Sequence, residues 1–392
     1  MRRLKGAPDV TMKPETALLH APHVAASQFD AVHPGTYRAS SVFFSSMQAW
    51  RERDWTGKSG YVYGPHGTPT TFALEARVAQ LEGGNHCLVC PSGLNAIALV
   101  YMTLLKPGDE LLVPINVYGA NRTFITQELM SWGVNVSIYD PTDLASLHFT
   151  KRTRLVWIEA PCSMTFEYPD LPALVALAHE HGALVALDNA WGAGIAFSPF
   201  DFGIDISVHA LTKYASGGAD VVMGAITVRD KALYDALKLC YMRLGLNVSG
   251  PDAESVLKGL LTLSLRYHAH DRSARQIAEH LRRNGKVARV MHPALKDSVG
   301  HAFWARDCGA AAGIFSVVFD VRYKQEDVDR FVDGLRLFRI GFSWGGPVSL
   351  AVSYGKSVAT LRELEGELVR LSVGLEATSD LIADIDQALA RL

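Results

Sequence analysis

Three short segments place phosphate-binding or reactive groups directly after apolar runs of the sequence. Ser92-Gly93-Leu94 opens a helical pattern, where free backbone N–H groups would favour a phosphate. Asp188 ends the run ALVALD, and a buried carboxylate there needs a positive or hydrogen-bond-donating partner. Lys213 follows another apolar run and precedes a glycine-rich turn, and lysine is the residue that forms Schiff bases.

Each of these residues has a simpler explanation when it is taken alone. Ser92 could be an ordinary helix N-cap, Asp188 a capping or ion-paired carboxylate, and Lys213 a solvated surface charge. Ligands of an open parallel sheet bind beyond the carboxyl ends of its strands, so all three are expected at one edge. Together they supply the phosphate site, the pyridinium partner and the amine that pyridoxal 5′-phosphate requires of a protein. No G-x-G-x-x-G follows the first strand, which removes the best support for a dinucleotide site.

Two further side chains could complete such a site. Tyr118 follows the run at residues 110–116, and its ring could either cover a planar cofactor or simply pack. In VRLSVGLE, apolar residues occupy the odd positions from 369 to 375, so a strand would direct Arg370 away from its own core. The histidines form no H-x-x-x-H pair with carboxylates at metal spacing, and we predict no metal site.

The elements needed to position these residues recur along the chain. Thr68-Pro69 starts a helix that continues through Leu81 and ends at Gly83-Gly84. Short apolar runs separated by helical stretches predict a mainly parallel α/β sheet covered by helices on both faces. The expected strands lie at residues 86–90, 110–114, 134–139, 155–159, 183–188 and 205–210.

Three regions are predicted. Residues 1–58 lack sustained periodicity and are interpreted as an extended arm that contacts a neighbouring subunit. Residues 59–255 would form the cofactor-binding α/β domain, and residues 256–392 a smaller α+β domain. In the smaller domain we expect strands near residues 313–320, 338–342 and 369–376, followed by a last amphipathic helix.

The composition excludes several classes of protein. The chain has 392 residues, 48% hydrophobic and 20% charged, which is ordinary globular composition. Its net charge of −2 gives no electrostatic basis for binding nucleic acid, and no apolar run is long enough for a membrane span. The start lacks a secretory signal, and five cysteines fit reduced intracellular thiols, so we predict a cytoplasmic protein. Cys87 and Cys90 would lie on opposite faces of a strand, which argues against a zinc or redox pair.

The sequence resembles the pyridoxal-phosphate enzymes of cysteine and methionine metabolism and, within them, the cystathionine β-lyases. The resemblance runs from about residue 14 to the C-terminus. The matching motifs are YVYGPHGTPT (61–70), QLEGG (80–84), PSGLNA (91–96), EAP (159–161), LDNAWGAG (187–194), DFGIDISVHALTKY (201–214), VARVMHPAL (287–295), FSWGGPVSL (342–350) and VRLSVGLE (369–376). It implies an aspartate-aminotransferase-like fold of type I, with a large sheet of the seven-stranded type.

The resemblance also implies a role for each matched residue. Lys213 would form the imine with pyridoxal phosphate, Asp188 would pair with the pyridine nitrogen, and Tyr118 would stack on the ring. The groups expected at the phosphate are Ser92, Gly93, Leu94, Thr212 and, from a neighbouring subunit of a homotetramer, Tyr63. Those expected at the substrate carboxylate are Arg370, Ser343 and Trp344.

The activity implied is β-elimination of L-cystathionine to homocysteine, pyruvate and ammonia, with cysteine and cystine as further substrates. Lys213 would remove the Cα proton, and Tyr118 or Lys213 would protonate the leaving sulfur. Trp344 favours a β-lyase because γ-cleaving and γ-replacing relatives typically have a smaller aliphatic residue there, although an indole could also merely pack. A γ-enzyme and a non-catalytic relative that binds the cofactor remain the alternatives.

The chain departs from the family pattern at three positions. Pro65 stands where the family usually has an arginine, and proline donates no hydrogen bond. Ala210 stands where many members have a serine, as it does in β-lyases, so the phosphate would rely more on backbone amides. Pro347 and Val348 replace the usual glutamate after the Gly-Gly pair. Recognition of the far end of the substrate therefore cannot be carried over.

Overall fold

The computed structural model describes residues 13–20, 32–355 and 364–392. A seven-stranded sheet is built from β1 (His86–Cys90), β2 (Glu110–Pro114), β3 (Asn135–Tyr139), β4 (Thr153–Glu159), β5 (Leu184–Asp188), β6 (Ile206–His209) and β7 (Gly224–Val228). The strand order is β1-β7-β6-β5-β4-β2-β3, and β7 runs antiparallel to the direction shared by the other six strands. The six strands expected from the apolar runs are therefore confirmed.

Helices surround this sheet and a smaller one. They are α1 (Pro14–His20), α2 (Met47–Arg51), α3 (Pro69–Glu82), α4 (Gly93–Leu104), α5 (Gly119–Phe124), α6 (Leu171–Glu180), α7 (Lys231–Arg243), α8 (Gly250–Leu260), α9 (Leu263–Arg282), α10 (His301–Asp307), α11 (Gln325–Gly334) and α12 (Thr378–Leu389). The smaller sheet is antiparallel, with the order β10-β11-β9-β8, and contains β8 (Val287–Met291), β9 (Ile314–Phe319), β10 (Leu350–Gly355) and β11 (Leu368–Ser372). Among the described residues no helix is long and apolar enough to cross a membrane.

The two faces of the large sheet are buried in separate hydrophobic clusters. On β1, Cys87 and Val89 belong to the cluster formed with α3 and α6, whereas Leu88 and Cys90 belong to the cluster formed with α4 and α7. Cys87 and Cys90 are both free thiols and fully buried. The period of two along the strand separates them, as predicted.

Helix α3 begins and ends at the capping residues that the sequence predicts. The Thr68 hydroxyl accepts a hydrogen bond from the Thr71 N–H, and Pro69 occupies the first turn. Gly83 adopts φ 79° at the C-cap, in the left-handed region that glycine enters without strain. Because α3 is fixed at both ends, its last residue, Glu82, has a defined position against the sheet.

Glu82 joins α3 to the two strands that carry the predicted site. It is 0% exposed, and its carboxylate accepts hydrogen bonds from Asn189 at 2.8 Å and Ser207 at 2.6 Å. The Nδ1 atom of His209 lies 2.9 Å from the same carboxylate. Since Asn189 directly follows β5 and Ser207 and His209 lie in β6, one carboxylate holds the ends of both strands to the helix.

Substitution Glu82→Gln is expected to lower the free energy of unfolding by about 1–3 kcal/mol. The glutamine amide has only one oxygen that can accept hydrogen bonds, so at least one of the buried donors around Glu82 would be left unpaired. The measurement is the urea midpoint at a fixed protein concentration. Glu279→Gln is the control, because Glu279 pairs only with exposed arginines, and it is expected to change stability by less than about 1 kcal/mol. Equal midpoints for the two variants would contradict this account of Glu82.

The smaller sheet differs from its sequence prediction. No strand forms at residues 338–342, where Ile340 and Phe342 are exposed and only a single bridge joins Arg339 to Leu350. That prediction is wrong because these apolar side chains face solvent rather than a core. Strands β8 and β10 form instead, and neither they nor β7 were predicted.

The predicted alternation of buried and outward-facing side chains around Arg370 is confirmed within the strand but not beyond it. Val369, Leu371 and Val373 are fully buried, and Arg370 projects from the opposite face. Leu375 is 40% exposed, because β11 ends at Ser372 and the period of two ends with it.

The predicted arm is described only in part, since residues 1–12 and 21–31 lie outside the described residues. Within it, α1 packs against α3 and α9 of the same chain, and Leu18 is buried. The predicted boundary after residue 255 falls inside α8, so the division into domains stays a prediction.

Candidate active site

A cavity of about 260 Å³ lies where the carboxyl ends of β4, β5 and β6 face the smaller sheet. The predicted residues that line it are Ser92, Gly93, Leu94, Tyr118, Asp188, Thr212, Lys213, Trp344 and Arg370. Ser343 reaches the same place through a hydrogen bond to Lys213. Tyr63, expected to act from a neighbouring subunit, is 43% exposed and does not line the cavity of its own chain.

Lys213 lies in the turn that follows β6, which brings its amine to the edge of the sheet. The Nζ atom donates a hydrogen bond to Ser343 Oγ at 2.8 Å and lies 5.4 Å from the centre of the Trp344 ring. Burial and the nearby Arg370 lower the pKa of Lys213 to about 8, although Asp188 opposes the shift. A sizeable fraction of this amine is therefore neutral and nucleophilic near neutral pH.

Uptake of pyridoxal phosphate by the cofactor-free chain is expected to accelerate as pH rises and to level off above about pH 8, where the Lys213 amine has lost its proton. The measurement is the initial rate of the visible absorbance change, divided at each pH by the rate for a free lysine derivative. Because the free amine titrates near pH 10.4, its rate continues to rise above pH 8. The ratio of the two rates therefore falls once Lys213 has become neutral. A constant ratio across the range would contradict the lowered pKa.

Asp188 and Glu159 end neighbouring parallel strands directly opposite each other. Asp188 accepts a hydrogen bond from the Ala190 N–H at 3.0 Å, and burial raises its pKa. Burial, together with the charge of Asp188, raises the pKa of Glu159 to about 8. Two carboxyl groups therefore face one cavity from adjacent strands, an arrangement that favours a positively charged ring nitrogen between or beside them.

Glu159 also positions the residue that carries the aromatic ring of the site. Its two carboxylate oxygens lie 2.8 and 3.1 Å from the backbone N–H donor of Tyr118, and the Ser163 N–H donates at 3.3 Å. Tyr118 is 43% exposed and lies at the start of α5, so its ring is available to cover a planar group. No role was predicted for Glu159, although its position at the end of an apolar run was a usable signal.

The start of α4 provides a narrow backbone cradle. Ser92 is the N-cap, its hydroxyl accepts from Asn95 N–H at 3.0 Å, and the N–H groups of Gly93 and Leu94 precede the first backbone hydrogen bond of the helix. A Cβ on Gly93 would lie 2.8 Å from the Cβ of Ala210, so only glycine fits there.

Thr212 borders this cradle, but its hydroxyl is already engaged with the backbone of Met223. It donates to the Met223 carbonyl at 3.1 Å and accepts from the Met223 N–H at 3.0 Å. The phosphate contacts available without rearrangement are therefore chiefly backbone N–H groups.

On the opposite wall, the smaller sheet contributes Arg370 and the loop before β10. Arg370 Nη2 donates to the Ser343 carbonyl at 3.4 Å, and Ser343 adopts a left-handed φ of 78°. Trp344 lies edge-on to Tyr214, with ring centres 5.5 Å apart. Strand β11 and this loop thus bring a guanidinium and an indole to the cavity that contains the Lys213 amine.

This set of groups fits pyridoxal phosphate. A helix start without side-chain bulk suits the phosphate, the amine of lowered pKa suits the aldehyde carbon, and the paired carboxyl groups suit the ring nitrogen. Among the described residues no group of three or more histidine, cysteine and acidic side chains is placed to hold a metal ion.

A comparison with protein families agrees with this fit. The family described as Cys/Met metabolism PLP-dependent enzymes matches residues 15–390. The chain belongs to this family. Its cofactor is accordingly pyridoxal phosphate, and its fold is the expected fold of type I.

Relatives within the Cys/Met metabolism family cover almost the whole chain. A putative cystathionine beta-lyase of Rhizobium johnstonii is 39% identical over 94% of both chains. Cystathionine beta-lyase MetC of Escherichia coli is 34% identical over 97% of this chain and 99% of its own. The solved structure of cystathionine gamma synthase from Xanthomonas oryzae pv. oryzae has a TM-score of 0.88 and 31% identity, covering 97% of this chain and 99% of its own.

Proposed function

We propose that this chain is a carbon–sulfur lyase that converts L-cystathionine to homocysteine, pyruvate and ammonia. The observation that carries the proposal is the Lys213 amine, held 2.8 Å from Ser343 and 5.4 Å from the Trp344 ring in the cavity that also contains Asp188 and Arg370. The similarity to proteins named cystathionine beta-lyase, at 34% and 39% identity, supports the choice of reaction.

Pyridoxal phosphate, when bound, supplies an electron sink for bond breaking at the substrate Cα. Arg370 binds the substrate carboxylate with its planar fork, which orients the Cα–H bond. Lys213 removes the Cα proton, and its lowered pKa suits a base that works near neutral pH. Asp188 keeps a proton on the ring nitrogen, and Glu159 holds Tyr118 by its backbone so that the ring covers the site.

The leaving sulfur needs a proton as the Cβ–S bond breaks. The Tyr118 hydroxyl or the ammonium form of Lys213 supplies it, since both groups line the cavity. Burial raises the pKa of Tyr118, which keeps its hydroxyl protonated and able to donate at neutral pH. Both possible donors therefore carry a proton when it is needed.

A γ-replacing transferase is the second candidate, because the cystathionine gamma synthase structure is also closely similar. Trp344 favours the lyase. Its indole lies over the Lys213 amine and takes up space beside the reacting carbons, and a smaller side chain would leave more room there for a second substrate.

The deciding experiment is incubation of the pyridoxal-loaded protein with L-cystathionine and identification of the products by chromatography. Pyruvate with homocysteine is expected. 2-Oxobutyrate with cysteine would make the chain a γ-enzyme. Absence of a keto acid from L-cystathionine, L-cystine and L-cysteine would instead favour a non-catalytic relative that binds the cofactor.

We further propose a cytoplasmic homotetramer in which Tyr63 reaches the phosphate of a neighbouring subunit. The exposure of Tyr63, at 43%, and of Phe43, at 97%, supports a partner surface at this end of the chain. Light scattering on the purified protein tests the tetramer, and a monomeric mass would contradict it.

A further inference from the structure

Arg370 is a partly buried cation that no carboxylate neutralises. Within residues 13–20, 32–355 and 364–392, none of the ion pairs includes it. Burial lowers the pKa of its guanidinium, which shows that the charge has lost part of its hydration. Its hydrogen bond from Nη2 to the Ser343 carbonyl is long, at 3.4 Å. Something else must therefore hold this charge in place before a substrate arrives.

Tyr354 contacts Arg370 from outside the cavity. The guanidinium carbon Cζ lies 5.2 Å from the centre of the Tyr354 ring, within the range of a cation–π contact. Arg370 lines the cavity, whereas Tyr354 does not. The ring therefore contacts the guanidinium without forming part of the cavity wall.

The pairing of β10 with β11 places Tyr354 on the face of the sheet that carries Arg370. In the pairing of β10 with β11, Val352 lies opposite Arg370, and the register shifts between Ser353 and Gly355. Tyr354 is the extra residue at this bulge. Because Val352 lies opposite Arg370 and side chains alternate with a period of two, Tyr354 shares the face of Arg370, and the bulge locally bends the strand there.

We propose that Tyr354 is a positioning residue for carboxylate binding: its ring holds the Arg370 guanidinium in place without the bidentate pairing that would compete with the carboxylate of an α-amino acid. The inference rests on the proposed role of Arg370 in binding substrate. A carboxylate at position 354 would hold the guanidinium more strongly, but it would occupy the same donors that the substrate must use. The face of an aromatic ring attracts the cation, and the single neutral hydroxyl of Tyr354, which also lies near the guanidinium, cannot pair with both arms of the fork as a carboxylate does.

Substitution Tyr354→Leu is expected to raise the KM for L-cystathionine about 3- to 30-fold, the range that corresponds to loss of one cation–π contact, while kcat stays within about twofold. Binding of two small amines provides a readout that needs no turnover. L-alanine carries a carboxylate and n-propylamine does not, and both are titrated by the absorbance change of the bound cofactor. The Kd for L-alanine should rise by the same factor as the KM, whereas the Kd for n-propylamine should not change.

Two variants serve as controls. Tyr354→Phe keeps the ring and is expected to retain most of the affinity for L-alanine. Tyr323→Leu removes a comparable ring, which lies 5.9 Å from the guanidinium of the exposed Arg322, and it should affect neither amine. If Tyr354→Leu does not fold, phenylalanine analogues of increasing fluorination at position 354 keep the shape and weaken the ring face in steps, and affinity for L-alanine should fall in the same steps.

Unchanged L-alanine binding in Tyr354→Leu, or in the fluorinated series, would overturn the proposal. Equal loss of L-alanine and n-propylamine binding would also overturn it, because the effect would then be general damage to the cavity. The amine titrations remain informative even if the unmodified protein releases no keto acid from L-cystathionine. Failure of the proposed function and failure of this inference therefore give different results.

Discussion

Replacing Lys213 with alanine is expected to abolish the visible absorbance of the covalently bound cofactor and to lower kcat/KM by about 10³-fold or more. Both effects have one cause, because Lys213 is the amine that lines the cavity beside Asp188. The measurements are the absorbance spectrum of the purified protein and the rate of pyruvate release from L-cystathionine.

Lys286→Ala is the control for this prediction. Lys286 is also partly buried, and its side-chain amine donates a hydrogen bond to the Leu389 carbonyl at 2.6 Å, but it lies outside the cavity. Its loss should leave the spectrum and the turnover intact. Retention of both signals in Lys213→Ala would remove Lys213 from the chemistry and with it the proposed mechanism.

Replacing Arg370 with alanine is expected to weaken substrate binding by about 2–5 kcal/mol while the cofactor remains bound. The guanidinium is the cation of the smaller sheet that lines the cavity, and it has no carboxylate partner among the described residues. Its removal leaves the substrate carboxylate without a counter-charge. The measurements are KM for L-cystathionine and the absorbance spectrum, and the spectrum should not change.

The conservative variant Arg370→Lys separates charge from geometry. A lysine keeps the positive charge but lacks the planar fork, so we expect binding between that of the unmodified chain and that of Arg370→Ala. Arg322→Ala, which removes an exposed arginine of the same sheet region, should have no effect. Unchanged KM and kcat in Arg370→Ala would show that another group binds the carboxylate.

The convergence of Ser92, Asp188 and Lys213 was predictable because a simple geometric rule places them together. Each lies at or just beyond the carboxyl end of a strand of the large sheet, and the ends of parallel strands share one edge. The chemistry of the three groups, a phosphate-binding helix start, a carboxylate and an amine, then pointed to pyridoxal phosphate as the cofactor. The rule needs only the strand boundaries, which the apolar runs marked well.

Glu159 and Tyr354 were not predictable in the same way. Glu159 also ends a strand, but its importance depends on accepting a hydrogen bond from the backbone N–H of Tyr118 and on lying opposite Asp188, and a sequence shows neither contact. The contact of Tyr354 with Arg370 depends on the pairing of β11 with β10, a strand that the sequence pattern did not predict. The strand wrongly expected at residues 338–342 shows a further limit of the sequence pattern, because exposed apolar residues in a loop resemble a short buried strand.

Gly93 lies so close to Ala210 that the two positions differ in the substitutions they can accept during evolution. Any larger residue at position 93 would bring a Cβ to 2.8 Å from that of Ala210, so that position changes only if position 210 first becomes glycine. Serine at position 210 adds its hydroxyl beyond the existing Cβ and leaves the contact itself unaltered. A lineage could therefore gain or lose a hydroxyl beside the cradle in one step, while the glycine opposite stays fixed by its neighbour.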